Sequence, residues 1–425
     1  MDLEMLGSWN PWWDTGRVPD RDLGHPRAAV EELRPWLARR EVVTLVGVRR
    51  SGKTTIAYQL IKRLLEEGVP PTNVLMVNLE DPRYEGVTLG EILSTYRQGI
   101  GPQGRTYVFL DEVQASKGWE RWVLVDYEQK KDVGFVVTGS SSSLVRSELA
   151  TLLTGRTMTF PIRPLSFPEF LRFRGVDLGS AIGNDRQDMA LHHLEQYMEI
   201  GGFPQIALEE RGSVRKLLTE YFDTILYKDV ISPHGVAPER ILPVARFLMA
   251  NIGTPQSLRS MRKATGLSVD TLKAYVRYFE EAHLLLPLAS LSHKTKPKAM
   301  EQVPSKYYCI DTGLRNAIVD RLTPDTGWLV ENAVFLELLR RGRWLHHWKG
   351  ESEVDFVEGL VPGPWNPINL SYGPTIPERE VRGFEELRRS LRGSVGEPLM
   401  LTRDRWETVG GVRYVPVWRW LLGEA

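Results

Sequence analysis

The 425 residues are 25% charged and 42% hydrophobic, the balance of a folded chain, and the length exceeds what one core supports, so two to four domains are expected. The 54 basic and 54 acidic residues cancel, which excludes a global field drawing the protein to nucleic acid or membrane; any DNA contact must come from a local patch. A single cysteine, Cys309, excludes an intrachain disulfide, and its neighbours Tyr307, Tyr308 and Ile310 fit a buried structural thiol rather than a metal ligand. No apolar run is long enough to span a bilayer and the first residues lack a basic-then-apolar signal, so the expected location is cytoplasmic, with no membrane partner.

The chain opens on Asn10-Pro11-Trp12-Trp13. Paired tryptophans have two uses here: stacking on a base, or strapping the arm to a core. Residues 28–37 are amphipathic and lead into Val42-Val43-Thr44-Leu45-Val46, a β-branched run that reads as a buried parallel strand. Then comes Gly47-Val48-Arg49-Arg50-Ser51-Gly52-Lys53-Thr54-Thr55, which fits the G-x-x-x-x-G-K-[ST] phosphate loop, with a helical pattern behind it. Gly47 and Gly52 let backbone N–H groups turn inward around a phosphate, and the helix N-terminus adds its positive end. Lys53 is the expected partner of the β- and γ-phosphates and Thr54 the expected Mg²⁺ ligand; Arg50, Ser51 and Thr55 complete the ATP-binding set.

Residues 73–79 read as a second strand, and 107–112 as a third, ending in the paired carboxylates Asp111 and Glu112. At that distance after a phosphate loop, Asp111 is the expected water-mediated Mg²⁺ ligand and Glu112 the general base. A further strand, 134–139, runs into Thr138, Ser140 and the serines 141–143. Strand ends in an open α/β sheet face the ligand crevice, so Thr138 or Ser140 is expected to bond the γ-phosphate or the attacking water, while 141–143 also suit helix capping. A helical stretch at 144–153 and a fifth strand at 158–162 follow.

From Pro164 the texture is helical, with segments 169–173, 189–200 and 214–230 broken at Gly201-Gly202-Phe203-Pro204. Residues 257–264 and 269–280 form a helix-turn-helix pattern around Thr265-Gly266-Leu267, with Ser268 as N-cap. Lys273 and Arg277 decorate its second helix. Residues 284–289 read as one wing strand, and Lys294, Lys296 and Lys298 form the densest lysine run, a basic tip suited either to DNA phosphates or to solvent in a protein-binding version of the fold. After Tyr307 the pattern is α/β again: a helix at 329–341 with Glu331 and Glu337, strands at 344–348, 353–357, 365–370 and 398–402, and a helix at 378–391.

Residues 47–55, 107–114 and 138–143, Leu153-Thr154-Gly155-Arg156, the 164–170 segment, Gly201 to Pro204, Tyr227-Lys228-Asp229, Asp311-Thr312-Gly313-Leu314, Glu331-Asn332 and Glu353-Val354-Asp355-Phe356 together resemble a family of prokaryotic, especially archaeal, AAA+-type ATPases. The resemblance covers nearly the whole chain. It implies a P-loop NTPase α/β core at 1–165 with its N-terminal arm, a helical lid at 166–235, a winged helix at 236–300, and a restriction-endonuclease-like α/β domain at 301–425. It implies a sensor at Thr138 or Ser140. It also implies an arginine finger at Arg156, which reaches a neighbouring subunit's γ-phosphate and so calls for a homo-oligomer; an ion pair within the subunit is the other use of Arg156. In the nuclease-like domain Asp355 aligns as the first acid, with Glu331 or Glu337 as a helix carboxylate, but Asn369 and Ser371 stand where the family's acid-x-lysine is expected. That implies a fold retained without cleavage. The leading expectation is an oligomeric ATPase, using ATP and Mg²⁺, that binds or remodels DNA, branched or single-stranded forms included. The alternatives are a nucleotide-dependent signalling or defence switch whose C-terminal domains bind protein, and an ATP-dependent nuclease.

Overall fold

The computed structural model describes all residues except 1, 141–152, 154, 181–182, 292–303, 321–325, 361–362, 392–393 and 425. The chain forms two compact units, one of residues 1–163 with 281–283, the other of residues 164–280 with 284–425.

The first unit is built on a parallel sheet of β1 (Val42–Val46), β2 (Val74–Asn78), β3 (Thr106–Asp111), β4 (Val133–Gly139) and β5 (Thr157–Pro161), in the order β2-β3-β4-β1-β5. All five expected strands are present. Their near-continuous apolar runs follow from burial on both faces, since alternate residues point to opposite sides. Leu75, Val77, Val108, Leu110, Phe135 and Val137 pack on one face against α3 (Leu89–Ile100) and α4 (Trp119–Glu128). Val43, Leu45, Val74, Met76, Phe109 and Val136 pack on the other against α1 (Ala29–Leu37) and α2 (Lys53–Glu66). The expected helix at 144–153 and the capping serines 141–143 lie, apart from Leu153, outside the described residues.

The N-terminal arm closes the β2 edge. The Asn10 amide donates to the Met76 carbonyl at 2.8 Å and accepts from the Met76 N–H at 2.6 Å. Both indole N–H groups, of Trp12 and Trp13, donate to the Val74 carbonyl at 3.0 and 2.9 Å. Trp12 is fully buried and Trp13 stacks on Tyr96 with centroids 5.8 Å apart. An open strand edge invites pairing with another chain, and these side chains satisfy it. Of the two uses open to the tryptophans, the structure has the strap.

In the second unit the helices α5 (Phe167–Phe173), α6 (Asn184–Ile200) and α7 (Arg211–Ile225) come first. The break after α6 is set by a contact far along the chain. The Gly202 N–H donates to the Asp311 carboxylate at 2.6 Å, and a side chain on Gly201 would meet Asp311 Oδ1 at 2.0 Å. Asp311 also caps α11 (Thr312–Ile318) by accepting from the Leu314 N–H at 2.8 Å, and a Cβ on Gly313 would stand 2.0 Å from the Ile200 carbonyl. The glycines of both motifs are therefore explained by close packing between them. Burial pushes the Asp311 carboxyl up to about 6, against the pull of its backbone N–H partners.

Next come α8 (Pro238–Ala250), β6 (Pro255–Gln256), α9 (Leu258–Thr265), α10 (Val269–Glu281), β7 (Leu285–Leu288) and β8 (Ser305–Cys309). Ser257 caps α9 in a reciprocal box with Ser260, and Gly266 ends it in the left-handed region. The strands form an antiparallel sheet in the order β6-β8-β7. Tyr307 to Cys309 pair with Leu285 to Pro287, so β8, though it follows residue 301, completes the sheet of the preceding helix pair. The tip lysines Lys294, Lys296 and Lys298 lie outside the described residues.

The remainder runs α12 (Thr326–Arg340), β9 (Leu345–Lys349), β10 (Glu353–Glu358), β11 (Asn366–Ser371), α13 (Glu378–Ser390), β12 (Leu399–Thr402), β13 (Glu407–Val409), β14 (Val412–Pro416) and α14 (Val417–Leu421). The sheet order is β13-β14-β12-β11-β10-β9, with β9, β10 and β11 antiparallel and β11, β12 and β14 parallel. The last hairpin and α14 had no clear signal in the sequence, because β13 is short and fully exposed.

Candidate nucleotide-binding site

The first unit collects its polar residues at the carboxyl edge of the sheet, where parallel strands hand over to loops. The 47–52 loop leaves β1 with Gly47 at φ 155°, Arg50 at φ 66° and Gly52 at φ 95°, and α2 starts at Lys53. The loop is tight. A Cβ on Gly47 would sit 2.1 Å from the Ile162 carbonyl at the end of β5. Gly47→Ala is therefore expected to weaken binding of a fluorescent ATP analogue at least about tenfold, because loop or strand must shift; unchanged affinity would show that the loop tolerates the movement.

Lys53 is buried, and its ammonium donates to the Gly47 carbonyl at 2.9 Å and the Val48 carbonyl at 3.2 Å. The Ser51 hydroxyl is buried with no partner among the described residues. An orphan donor inside a loop of turned backbone is what an anionic oxygen would satisfy. The donor set thus fits a nucleotide's phosphates.

Sheet order explains how the acids come to the loop. β4 lies between β1 and β3, so the end of β4 separates the loop strand from the acid strand. The Thr138 hydroxyl fills that gap, donating to Asp111 Oδ1 at 2.5 Å and accepting from the Glu112 N–H at 3.0 Å. From the other side the Thr54 hydroxyl lies 2.9 Å from Asp111 Oδ2 and 3.1 Å from Oδ1. Burial pushes the Asp111 carboxyl up to about 6, opposed by the Thr138 and Thr54 hydrogen bonds and the Lys53 charge. A buried carboxylate with a hydroxyl neighbour and, among the described residues, no ion-paired cation fits a hydrated Mg²⁺ held by Thr54 and Asp111. That ion, when bound, supplies charge neutralisation at the phosphates.

Glu112 sits in the left-handed region at φ 53°, and its carboxylate accepts from the Gln114 side-chain amide. The sharp turn after β3 aims it differently from Asp111. Ser140, expected beside Thr138, is likewise buried at the end of β4. Thr55 is half-buried in the first turn of α2.

Arg156 is elsewhere. Its carbonyl accepts from the Val42 N–H at the start of β1, so it lies at the amino edge of the sheet, about 16 Å along β1 from the phosphate loop. Its guanidinium pairs with Glu128 at 2.7 Å, the intrasubunit use. From this position it has no role in its own site.

Arg27 was missed. It is buried, and its guanidinium donates to the Ser51 carbonyl at 2.7 Å and the Arg163 carbonyl at 2.9 Å, while its N–H donates to Gln59. It pins the phosphate loop from behind. Nothing in the sequence sets it apart from Arg17 and Arg21 in the same polar stretch.

In the second unit the structure gathers Glu331, Glu353 and Asp355, as expected for the first and third, but around an unforeseen cation. Lys306, on β8 and almost fully buried, stands 2.9 Å from Glu331, 2.8 Å from Glu353 and 3.4 Å from Asp355. Tyr308 also donates to Glu331 at 2.6 Å. The group lines a cavity of about 490 Å³ that Lys349, Arg379 and Glu380 share. Glu337 is not part of it and pairs with Arg341 at 2.9 Å. Asn369 is fully buried; its amide donates to the carbonyls of Glu353 and Glu380 and accepts from the Asp355 N–H, while Leu370 and Tyr372 line the cavity. It cross-links backbone segments, a role a carboxylate lacks the donors to fill.

Comparison with known proteins fits this arrangement. An uncharacterized protein of Haemophilus influenzae is 31% identical over 327 residues, 74% of this chain and 79% of the relative. The chain belongs to that protein's family. Residues 39–171 match the family model described as an AAA domain, and form an AAA-type ATPase domain. Residues 191–325 and 326–420 match two domains of unknown function, DUF8612 and DUF4143. An uncharacterized protein of Methanocaldococcus jannaschii is 29% identical over 404 residues, 90% of this chain and 88% of the relative. A Walker-type ATPase of Pyrococcus abyssi aligns with a TM-score of 0.47 at 13% identity, over 71% of this chain and 97% of that one. Among the described residues, no helix is long and apolar enough to cross a membrane.

Proposed function

We propose that the protein hydrolyses ATP with Mg²⁺ as a homo-oligomer and acts on DNA through its second unit. The observation that carries the reading is the hydrogen-bonded chain Thr54–Asp111–Thr138–Glu112 beside the phosphate loop. Lys53 and the loop amides hold the β- and γ-phosphates. Thr54 and Asp111 would hold the hydrated Mg²⁺, Thr138 fixes the geometry between Asp111 and Glu112, and Ser140 at the same strand end serves with it as sensor of the γ-phosphate. Glu112 takes the proton from the attacking water. Arg156 completes a neighbour's site, exchanging Glu128 for a γ-phosphate. Its distance from its own loop supports a role in trans.

The helix pair α9–α10 followed by β7 and β8 supports a winged helix. The order α12–β9–β10–β11–α13–β12 supports a nuclease-like fold, and the Asn369 cross-link supports loss of cleavage. Both segments then serve to bind.

The test is the ATPase rate against protein concentration, without DNA and with duplex, single-stranded or branched DNA. The expected result is a rate per subunit that rises with concentration, is stimulated by one DNA form, and in Arg156→Ala no longer rises. A rate indifferent to concentration and to every DNA would favour a switch whose second unit binds protein. Metal-dependent cleavage lost in Asp355→Ala would favour the nuclease.

A further inference from the structure

Residues 240–269 contain Arg240, Arg246, Arg259, Arg262 and Lys263 and not one Asp or Glu, in a chain whose charges cancel as a whole. Three of the five fall on α9, the first helix of the pair. Met261 is the side chain that α9 buries; Arg259, Arg262 and Lys263 are exposed and make no ion pair with a described residue. Together with the hydroxyls of Ser257 and Ser260 they line a shallow cavity of about 580 Å³.

The second helix, α10, is less suited to a polyanion. Arg277 lies over the Tyr278 ring at 5.5 Å, and Tyr278 stacks on His234 with centroids 3.6 Å apart. The exposed Asp270 shares the helix with Lys273.

We infer that α9, through Arg259, Arg262, Lys263, Ser257 and Ser260, is the surface that grips a nucleic-acid phosphate backbone. This rests on the DNA reading above and moves the contact away from α10. The chemistry selects the partner. Arg, Lys and Ser are the side chains that hold phosphate oxygens, and spacings of three and four residues set the cations about 4.5–6 Å apart along one helix face. A protein interface would centre on apolar or aromatic side chains, and none lines this cavity.

The experiment is fluorescence anisotropy of the full-length protein with a fluorescein-labelled duplex of mixed sequence, titrated between about 50 and 200 mM salt. The combined variant Arg259→Gln, Arg262→Gln, Lys263→Gln is compared with Lys273→Gln, Arg277→Gln. All five positions are exposed, and a thermal midpoint equal to the unmodified protein's establishes that each variant folds. The α9 variant is expected to bind at least about tenfold more weakly at about 100 mM salt, with a log–log salt slope shallower by about 2 to 3, since each phosphate contact contributes about 0.9. The α10 variant changes both less. If the unmodified protein binds duplex and the α9 variant keeps its affinity and slope, the inference fails and the DNA reading stands. If the unmodified protein binds no DNA even at about 50 mM salt, the DNA reading fails with it. Equally tight binding of polyglutamate, lost in the same variant, overturns the choice of nucleic acid in favour of an acidic protein surface.

Discussion

Glu112→Gln is expected to bind ATP normally and to hydrolyse it about 10²- to 10⁴-fold more slowly, the usual contribution of a general base. The substitution keeps the size and the left-handed turn, and the backbone N–H that bonds Thr138 is untouched. What it removes is the proton acceptor. Lys53→Ala is the contrasting variant, since its buried ammonium lies against the loop carbonyls and its loss lowers ATP affinity itself. Phosphate release at saturating ATP, set beside equilibrium binding of a fluorescent analogue, separates the two. A Glu112→Gln protein with unchanged turnover would end the assignment of Glu112 as base and leave Lys53 and Asp111 standing.

Lys306→Met is expected to destabilise the second unit by about 3–5 kcal/mol near pH 8, the usual cost of stripping one partner from a buried ion cluster. Three carboxylates lose their shared counter-charge while the apolar stem stays filled. The pH dependence has a definite sign. Burial pushes the Glu331 carboxyl up to about 7, against the pull of Lys306, and pushes Asp355 up as well. A carboxyl raised above its unfolded value of about 4.3 contributes stability that is intact below that value and lost as pH climbs through the folded pKa. Removing Lys306 raises the folded pKa further and widens that window. The deficit is therefore smallest near pH 5, below the raised pKa of Glu331, and largest near pH 8. Urea unfolding followed by tryptophan fluorescence at both pH values measures it. Adding Glu331→Gln should recover part of the loss, because a neutral amide needs no counter-charge. Equal midpoints for Lys306→Met and the unmodified protein at both pH values would mean that the cluster contributes nothing.

The two predictions divide along what the sequence displays. Glu112 stands beside Asp111 at the end of an apolar run, and both follow a phosphate loop whose residues are contiguous. Such signals are local, because strand, loop and helix N-terminus are made by neighbours in the chain. The same holds for the helix pair 257–280 with its serine cap, and for the five strands of the first sheet, whose β-branched runs announce burial on both faces.

Lys306 had no such signal. It lies 25 residues from Glu331 and 49 from Asp355, and only the fold of β8 against α12 and β10 makes them a cluster. Arg27 reaches Ser51 and Arg163 across 24 and 136 residues, and Asn10 reaches β2 across 66. Periodicity reported that Asn369 sits in a strand. It was silent on the backbone groups its amide joins, because those come from β10 and α13. Gly201 and Gly313 were visible as motifs, while the reason for them, close contact across more than a hundred residues, was not.

By itself, then, the sequence determined the phosphate loop, the acid pair, the α/β first unit and the succession of segments, because each depends on residues a few positions apart. Only the tertiary structure decided that β4 inserts Thr138 between Thr54's loop and Glu112, that the tryptophans seal an edge, that Arg156 lies at the opposite sheet edge from its own loop, and that Lys306 joins Glu331, Glu353 and Asp355 in one cluster. Those outcomes depend on strand order and on side chains meeting across long separations, where burial turns a polar residue into an obligatory partner.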